Sequence, residues 1–254
     1  MDSARPGGSL KGDAAGVRRL HVRELPELAV ELELAAEEAQ HARVLRLATG
    51  DELQLFDGRG GSVMARVSSL TKSSLRCVAV APPTRVERAQ RVVLVQCLPK
   101  AGKLDDIVRM TTELGVTRIE LAISEYCVAK PTQREEQRSE RLERIAREAA
   151  RQSEQPFVPE LVAPRPLAEV VAGVPEAAFR AACLERSAEP LPWSIDANEL
   201  WLVVGPEGGL STGDRTLLER GQFSSIALGR SILRTETAAV VGVALALERL
   251  GHRR

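Results

Sequence analysis

The sequence of 254 residues predicts an α/β protein in which a small β-rich domain precedes a larger domain built on a parallel sheet. Three observations lead to this fold class. Short runs with period-two alternation fill the first eighty residues. After residue 90, strand-like runs alternate with helical stretches, the pattern typical of a parallel sheet. Between them, Ala81-Pro82-Pro83-Thr84 breaks both patterns and is interpreted as a linker. We therefore expect domains at residues 18–84 and 85–254.

The first domain is predicted from four short runs, LHVREL, DELQLF, SVMARVSSL and SLRCVAV. Apolar residues alternate with other residues over 63–67, as on a half-buried strand. Asp57-Gly58 and Gly60-Gly61 supply turn residues between two of the runs. One helix is expected over 31–47. Ahead of the domain, residues 1–17 are rich in Gly, Ala, Ser and charge and are expected to form a disordered tail.

The second domain is predicted to alternate strands with helices. Gly115 is expected to end one helix as its C-cap. The predicted helices cover 104–114, 134–153 and 238–247. The predicted strands cover 91–98, 116–123, 158–163, 178–185, 200–204 and 223–228. The run at 200–204 (LWLVV) is too apolar for a half-exposed strand, so we expect it at the centre of the sheet.

Two unusual loops follow the last two predicted strands. The first is GPEGG at 205–209, and the second is GRSILRTET at 229–237. Open α/β sheets bind ligands at the carboxyl ends of their strands. Glycines in the first loop remove Cβ atoms and allow close approach of a ligand to the backbone. We therefore expect these loops to form the functional site.

Each loop also has a purely structural interpretation. The first could be a tight strand-to-helix turn, closed by a capping box between Ser211 and Asp214. In the second, Thr235 or Thr237 could cap a helix, with Glu236 as a first-turn acid that complements the helix dipole. That interpretation leaves Arg234 unexplained, beside Glu236 and before a helix that is apolar nearly all round and is therefore expected to be buried.

Composition excludes several classes of protein. Thirty-five basic and thirty-five acidic residues balance, so no global positive field indicates nucleic acid, although a local basic patch would suffice. The sequence has no tract of about 18 apolar residues and no secretory signal, so no membrane partner is expected. Four scattered cysteines fit free thiols in a reducing cytoplasm. No histidine stands at metal-ligand spacing from a cysteine, so no metal is expected. Dinucleotide, phosphate-loop and nucleophile-elbow motifs are absent.

Several motifs together match one known family. The chain resembles the bacterial 16S rRNA uridine N3-methyltransferases of the SPOUT superfamily. The two loops carry the strongest match, VVGPEGGLS at 203–211 and ALGRSILRTETA at 227–238. Further matching segments are GKLDDIVRMTTELGV at 102–116, SEYCVAK at 124–130, VPEL at 158–161, HARVLRL at 41–47, GDELQLFDG at 50–58 and Arg18-Arg19.

The resemblance implies a fold and an activity that periodicity does not show. The first domain would be a PUA-like β-barrel that helps to bind RNA, and the second an α/β domain with a deep trefoil knot. The knot would bind S-adenosylmethionine (SAM) in a bent shape, and the protein would act as a cytoplasmic homodimer. Its substrate would be N3 of one uridine in 16S rRNA of the small ribosomal subunit.

The resemblance also implies roles for individual residues. Leu228, Ile232 and Leu233 would wall an apolar slot for adenine. The cofactor-binding set would be Leu184, Glu185, Val204, Gly205, Pro206, Glu207, Gly208, Gly209, Leu228, Gly229, Ile232, Leu233 and Thr235. Arg234 would bind the uracil edge as a catalytic residue, with Glu236 orienting it or acting as base. The predicted RNA contacts are Arg18, Arg19, Arg43, Arg46, Lys103 and Arg230; for Lys103, a merely solvated side chain is an equal alternative.

This chain departs from the family pattern where arginines are usual. Ser231, Tyr126 and the pair Glu154-Gln155 stand at such places. Two other functions therefore stay open: a catalytically silent RNA-binding protein of ribosome assembly, and a knotted methyltransferase that acts on another RNA. The intact glycine loop and the LRTETA segment favour catalysis, because a pure binding protein would not need them.

Overall fold

The computed structural model describes residues 18–100, 102–127, 135–184 and 189–251. The predicted tail at 1–17 and the predicted cofactor contact Glu185 lie outside these ranges. The described residues form two six-stranded sheets, each with its own apolar core.

The first sheet packs on one apolar core and has the strand order β1-β3-β4-β5-β2, with β6 paired to β4. Its central strand β4 alternates buried and more exposed residues, which confirms the predicted period-two pattern. Helix α1 packs beside β5 and β2. The elements are β1 (Arg19–His21), β2 (Glu31–Leu34), α1 (Ala36–Val44), β3 (Glu52–Phe56), β4 (Gly61–Leu70), β5 (Leu75–Ala79) and β6 (Thr84–Arg85).

The predicted helix over 31–47 is wrong in its first part. Residues 31–34 form β2, which pairs antiparallel with β5, and α1 begins only at Ala36. The sequence ELEL alternates with period two, which suits a strand better than a helix. On the exposed face, Glu33 forms an ion pair with Arg76 of β5 at 3.1 Å. The helical composition of the residues that follow concealed this short strand.

The second sheet is parallel throughout, as predicted, with the order β12-β10-β11-β7-β8-β9. Strand β11, which contains the LWLVV run, lies inside the sheet between β10 and β7. The elements are β7 (Arg91–Cys97), α2 (Lys103–Leu114), β8 (Arg118–Ile123), α3 (Glu135–Gln152), β9 (Glu160–Pro166), α4 (Leu167–Ala172), β10 (Phe179–Cys183), β11 (Glu199–Val204), α5 (Thr212–Arg220), β12 (Ser224–Ile226) and α6 (Thr235–Gly251).

Helices cover both faces of this sheet. The core on one face includes side chains of α2, α3 and α6, and the core on the other includes side chains of α4 and α5. The prediction that the last helix is buried holds for one face only. Ala239, Val243 and Ala246 are fully buried, whereas Val241 and Ala244 on another face are half-buried. Part of this apolar helix therefore remains accessible in the single chain.

The strand order brings three connections to one place. After β11 the chain passes β10 to reach β12 at the edge, and then returns so that α6 packs on β7 and β11. Ala227 donates its N–H to the carbonyl of Glu189, which lies between β10 and β11. The carboxyl ends of β10, β11 and β12 thus lie together, where the two predicted ligand loops emerge.

The boundary expected between residues 84 and 85 falls inside β6, whose Arg85 pairs with Gly61 of β4. Arg19 of β1 connects the first sheet to α3 and the loop that follows it. Its guanidinium donates to the carbonyls of Ala150 and Gln155, at 3.4 Å in each case. It also lies over the ring of Phe56, 4.3 Å from the centroid.

Candidate functional site

A cleft of about 290 Å³ opens at the carboxyl ends of β10, β11 and β12. Its lining comes from the ends of these strands, from both predicted loops and from the first turn of α6. Most of the predicted cofactor contacts line it: Leu184, Val204, Gly205, Pro206, Glu207, Gly209, Leu228, Gly229, Ile232, Leu233 and Thr235. Lys103 and Arg234, predicted for RNA and for catalysis, also line it. The two loops therefore form one site.

Gly208 does not line the cleft. A Cβ at this position would lie 3.2 Å from Cβ of Tyr126, so the missing side chain makes room for a neighbour within the protein. Gly209 has φ +73° and Gly229 has φ +146°, a backbone region that favours glycine. In this structure the glycines are explained by backbone shape and packing within the protein.

An ion-pair network crosses the mouth of the cleft. The Lys103 ammonium lies 3.1 Å from Glu207 Oε1 and 3.1 Å from Glu236 Oε2. The N–H of Lys100 donates to the Glu207 carboxylate, at 3.1 Å and 3.2 Å to its two oxygens. The network joins the start of α2, the glycine loop and the start of α6.

These contacts shift the pKa of both carboxyls downward. Burial opposes ionisation of Glu207, but hydrogen bonds from its own N–H and that of Lys100, together with Lys103, lower its pKa. The pKa of Glu236 is lowered by its own N–H, against some burial, and further by Lys103. A carboxylate with a lowered pKa is a weak proton acceptor, so this geometry does not favour Glu236 as a base.

Thr235 begins α6 but does not cap it with its side chain. Its hydroxyl donates to the carbonyl of Gly205 at 2.7 Å and accepts from Gln96 Nε2 at 3.0 Å. The capping box predicted in the first loop is present, with reciprocal hydrogen bonds of 3.0 Å between Ser211 and Asp214. The predicted capping box therefore closes the end of the first loop. The second loop is held by the bonds of Thr235 to Gly205 and Gln96 instead of by a helix cap.

The second loop presents its polar side chains to solvent. Arg234 and Ser231 are exposed, and Ile232 is 68% exposed although it lines the cleft. Leu228 packs against the apolar core and forms a firmer wall. The three predicted walls of the adenine slot, Leu228, Ile232 and Leu233, all border the cleft.

Three of the six predicted RNA contacts are engaged within the protein, and the other three are exposed. Arg19 is only 4% exposed, and its guanidinium donates to carbonyls of α3 and of the loop that follows it, so this structure does not present it to RNA. Lys103 is engaged in the ion-pair network at the cleft. Arg18 is part-exposed and forms an ion pair with Asp51 at 2.9 Å. The remaining three are exposed: Arg43, Arg46 and Arg230.

Sequence reasoning missed several residues of the site. Arg215 lines the cleft, and its Nε donates to the carbonyl of Leu210 at 3.1 Å. Cys183 also lines the cleft, and burial raises its pKa to about 12, so it is a neutral thiol at physiological pH. Arg215 lies four residues after Ser211, on a helix that starts at the glycine loop. That spacing could have indicated that Arg215 lies near the loop. For Cys183, only its place at a strand end indicated the site.

Neither a candidate metal centre nor a membrane-spanning helix is present within the described ranges. No group of three or more His, Cys, Asp or Glu side chains there is arranged to hold a metal ion. Of the helices among the described residues, none is long and apolar enough to cross a membrane.

The fold and the cleft define a class: an α/β protein that binds a small molecule where parallel strands end and carries an accessory β domain. A family model described as an RNA methyltransferase domain matches residues 86–247, and one described as an RNA methyltransferase PUA domain matches residues 34–80. The chain therefore belongs to the RNA methyltransferase family, and the predicted SPOUT fold class with a PUA-like first domain is confirmed.

Individual relatives agree with this assignment. The chain is 33% identical over 209 residues to ribosomal RNA small subunit methyltransferase E of Synechocystis, covering 80% of this chain and 67% of the relative. A crystal structure of the protein of that name from Neisseria gonorrhoeae, bound to SAM, superposes with a TM-score of 0.83 at 27% identity, covering 90% and 95% of the two chains. A SAM-bound Legionella pneumophila methyltransferase gives 0.83 at 25% identity, covering 91% and 97%.

Proposed function

We propose that this protein uses SAM to methylate N3 of one uridine in 16S rRNA of the small ribosomal subunit. One observation carries the proposal: the two loops that match the family by sequence form a single cleft at the carboxyl ends of β10, β11 and β12. Relatives that cover most of the chain are named as small-subunit rRNA methyltransferases, and two similar structures contain SAM.

The cleft suits this cofactor chemically. Its volume of about 290 Å³ is near the lower end of ligand pockets. Leu228 and Leu233 offer apolar surface to an adenine ring, and the backbone around Gly205 and Gly229 offers hydrogen-bonding groups. SAM supplies an electrophilic methyl group on a sulfonium. Residues 184, 204–207, 209, 228, 229, 232, 233 and 235, which line the cleft, would hold it.

The chain's own task is to position the uracil and to accommodate its negative charge. N3 of uridine carries a proton at neutral pH, which must leave before or during methyl transfer. Arg234 is exposed, lines the cleft and can donate to a uracil carbonyl, so we assign it the binding of the anionic base. Backbone N–H groups, together with Lys103 at 3.1 Å from each carboxylate, favour the ionised forms of Glu207 and Glu236.

The test uses small ribosomal subunits from cells that lack the modification. We expect the wild-type protein with SAM to produce 3-methyluridine, detected by mass spectrometry of nucleosides from the digested 16S rRNA. Arg234→Ala should lower the rate at least a hundredfold while its Kd for SAM changes little, because the side chain serves the transition state. Arg220→Ala, an exposed arginine of α5, is the matched control. Near-normal turnover by Arg234→Ala would refute the assignment.

We further propose that the protein acts in the cytoplasm as a homodimer. Support for the dimer comes from α6, where Val241 and Ala244 remain half-buried although they are apolar. Burial of this surface by a second copy would be favourable. Light scattering after gel filtration should give twice the mass of one chain, and Val241→Glu should shift the mass toward that of a monomer. A wild-type monomer at micromolar concentration would contradict the proposal.

A further inference from the structure

Gln96 is a buried polar residue next to the cleft to which the family resemblance assigns no role. It is the penultimate residue of β7, and its side chain is fully buried. Its Nε2 donates to the carbonyl of Cys97 at 2.8 Å and to Thr235 Oγ1 at 3.0 Å. Thr235 in turn donates to the carbonyl of Gly205 at 2.7 Å. A chain of hydrogen bonds thus runs from β7 to both cleft loops.

The direction of this chain is fixed by its ends. The carbonyls of Cys97 and Gly205 can only accept, so the Gln96 amide nitrogen must face the first and the Thr235 proton must go to the second. The threonine hydroxyl therefore accepts from Gln96 and has no proton left for another partner. A valine at 235, or an apolar residue at 96, would break the chain without any change in charge.

This chain of hydrogen bonds connects three segments that are far apart in the sequence. Gly205 is the first residue of the glycine loop, and Thr235 is the first residue of α6, directly after the second loop. Both residues line the cleft. Of Gln96, Gly205 and Thr235, only Gln96 lies outside the cleft lining. Thr235, although it lines the cleft, is only 5% exposed. Buried hydrogen bonds of this kind are costly to lose, because the groups left behind are screened from water.

We propose that Gln96 is a positioning residue for SAM binding: through the Thr235 hydroxyl it holds the ends of both loops in the arrangement that accepts the cofactor. This inference rests on the proposed function. Without the link, the loops would occupy the binding arrangement for a smaller fraction of the time. The apparent Kd for SAM rises in inverse proportion to that fraction.

The ion-pair network of Lys103 connects the same loops from the side of the mouth, through Glu207 and Glu236. The two connections differ in kind. Lys103 and its partners are charged and part-exposed, so salt weakens their effect. Gln96 and Thr235 are neutral and buried, so their contribution to SAM affinity should not change with salt or between pH 6 and 9.

The experiment compares Gln96→Met, Thr235→Val and Thr235→Ser by calorimetric titration with SAM. The control is Thr111→Val, since Thr111 is also fully buried and donates to a backbone carbonyl, that of Ile107, at 2.7 Å. We expect Gln96→Met and Thr235→Val each to raise the Kd about tenfold. The double variant should be no worse than the poorer single variant. Thr235→Ser should restore the affinity, and Thr111→Val should lower stability only.

Two results would overturn the inference. A Gln96→Met protein that binds SAM like the wild type, yet unfolds as easily as Thr111→Val, would show that Gln96 serves stability alone. Equal Kd values for Thr235→Val and Thr235→Ser would show that the hydroxyl does not matter, even if Gln96→Met fails to fold. Failure of the proposed function would look different: the wild-type protein would then bind no SAM, or would bind it without methylating 16S rRNA.

Discussion

Backbone N–H groups and Lys103 together set the charge state of two carboxyls at the site. The Lys103 ammonium lies between Glu207 of the glycine loop and Glu236 of α6, and the pKa of both carboxyls is lowered. A carboxyl whose pKa is lowered by folding stabilises the folded state above its ordinary pKa, near 4.5. That stabilisation is lost as the pH falls through the lower, folded-state pKa.

The first prediction concerns Lys103→Met. Without the ammonium, the pKa of each carboxyl should rise toward its ordinary value. The free energy of unfolding should then change less as the pH falls. The wild type should therefore lose more of its unfolding free energy than the variant between about pH 6 and pH 3. Thermal unfolding of both proteins across this range measures the difference. Parallel curves would mean that Lys103 does not hold these carboxyls.

Two neighbouring arginines have different environments. Arg19 lies between the first sheet and the end of α3, in contact with Phe56 and the carbonyls of Ala150 and Gln155, whereas Arg18 is part-exposed beside Asp51. Arg19 is the first residue of β1, where it and Leu20 are both buried, whereas Arg18 lies just before the strand. The sequence alone did not show which of the two arginines is buried, so it could not separate Arg19 from Arg18 as a candidate RNA contact.

The second prediction follows from that difference. Arg19→Met should lower the unfolding free energy by at least about 2 kcal/mol, through lost hydrogen bonds and a lost cation–π contact. Arg18→Met, the matched control, should cost less than about 1 kcal/mol, as is usual for a surface ion pair. Denaturant unfolding of both variants is the measurement. A larger loss from Arg18→Met than from Arg19→Met would reverse the roles assigned here.

At the scale of elements, α6 illustrates what periodicity can and cannot predict. Its apolar composition predicted a buried helix, and the face of Ala239, Val243 and Ala246 is buried. The sequence could not show that another face remains accessible, because an apolar helix has no polar stripe to mark its outer side. Conversely, ELEL at 31–34 did carry a readable period of two. The helix-forming residues that follow led to a predicted helix that included this four-residue strand.

The third prediction concerns how closely α6 packs on the sheet. A Cβ at Gly242 would lie 2.6 Å from Cδ2 of Leu202, a fully buried side chain of β11, so Gly242→Ala should overpack this contact. We expect a loss of about 1 kcal/mol or more despite the better helix propensity of alanine. Gly213→Ala in α5 is the control, since its Cβ would meet nothing nearer than 3.5 Å. A gain in melting temperature from Gly242→Ala would contradict the packing described.

At the scale of the whole molecule, the sequence predicted the parallel sheet and the two loops but not how they meet. The strand order β12-β10-β11-β7-β8-β9 depends on long-range pairing, which local patterns do not encode. That order brings Leu184, Gly205 and Leu228 to one cleft. The family resemblance supplied this grouping in advance, whereas spacing alone gave only two loops at strand ends. The contacts of Gln96 and Lys103 required the structure.

The central claim is that this cleft binds SAM, and direct titration tests it. Calorimetry with the wild-type chain should show one SAM bound per chain. Ala238→Phe, which places a ring in the cleft lining at the start of α6, should abolish binding without unfolding the protein. Thr111→Val, far along α2 from the cleft, should bind like the wild type. No binding by the wild type at millimolar SAM, or unchanged affinity in Ala238→Phe, would contradict the account.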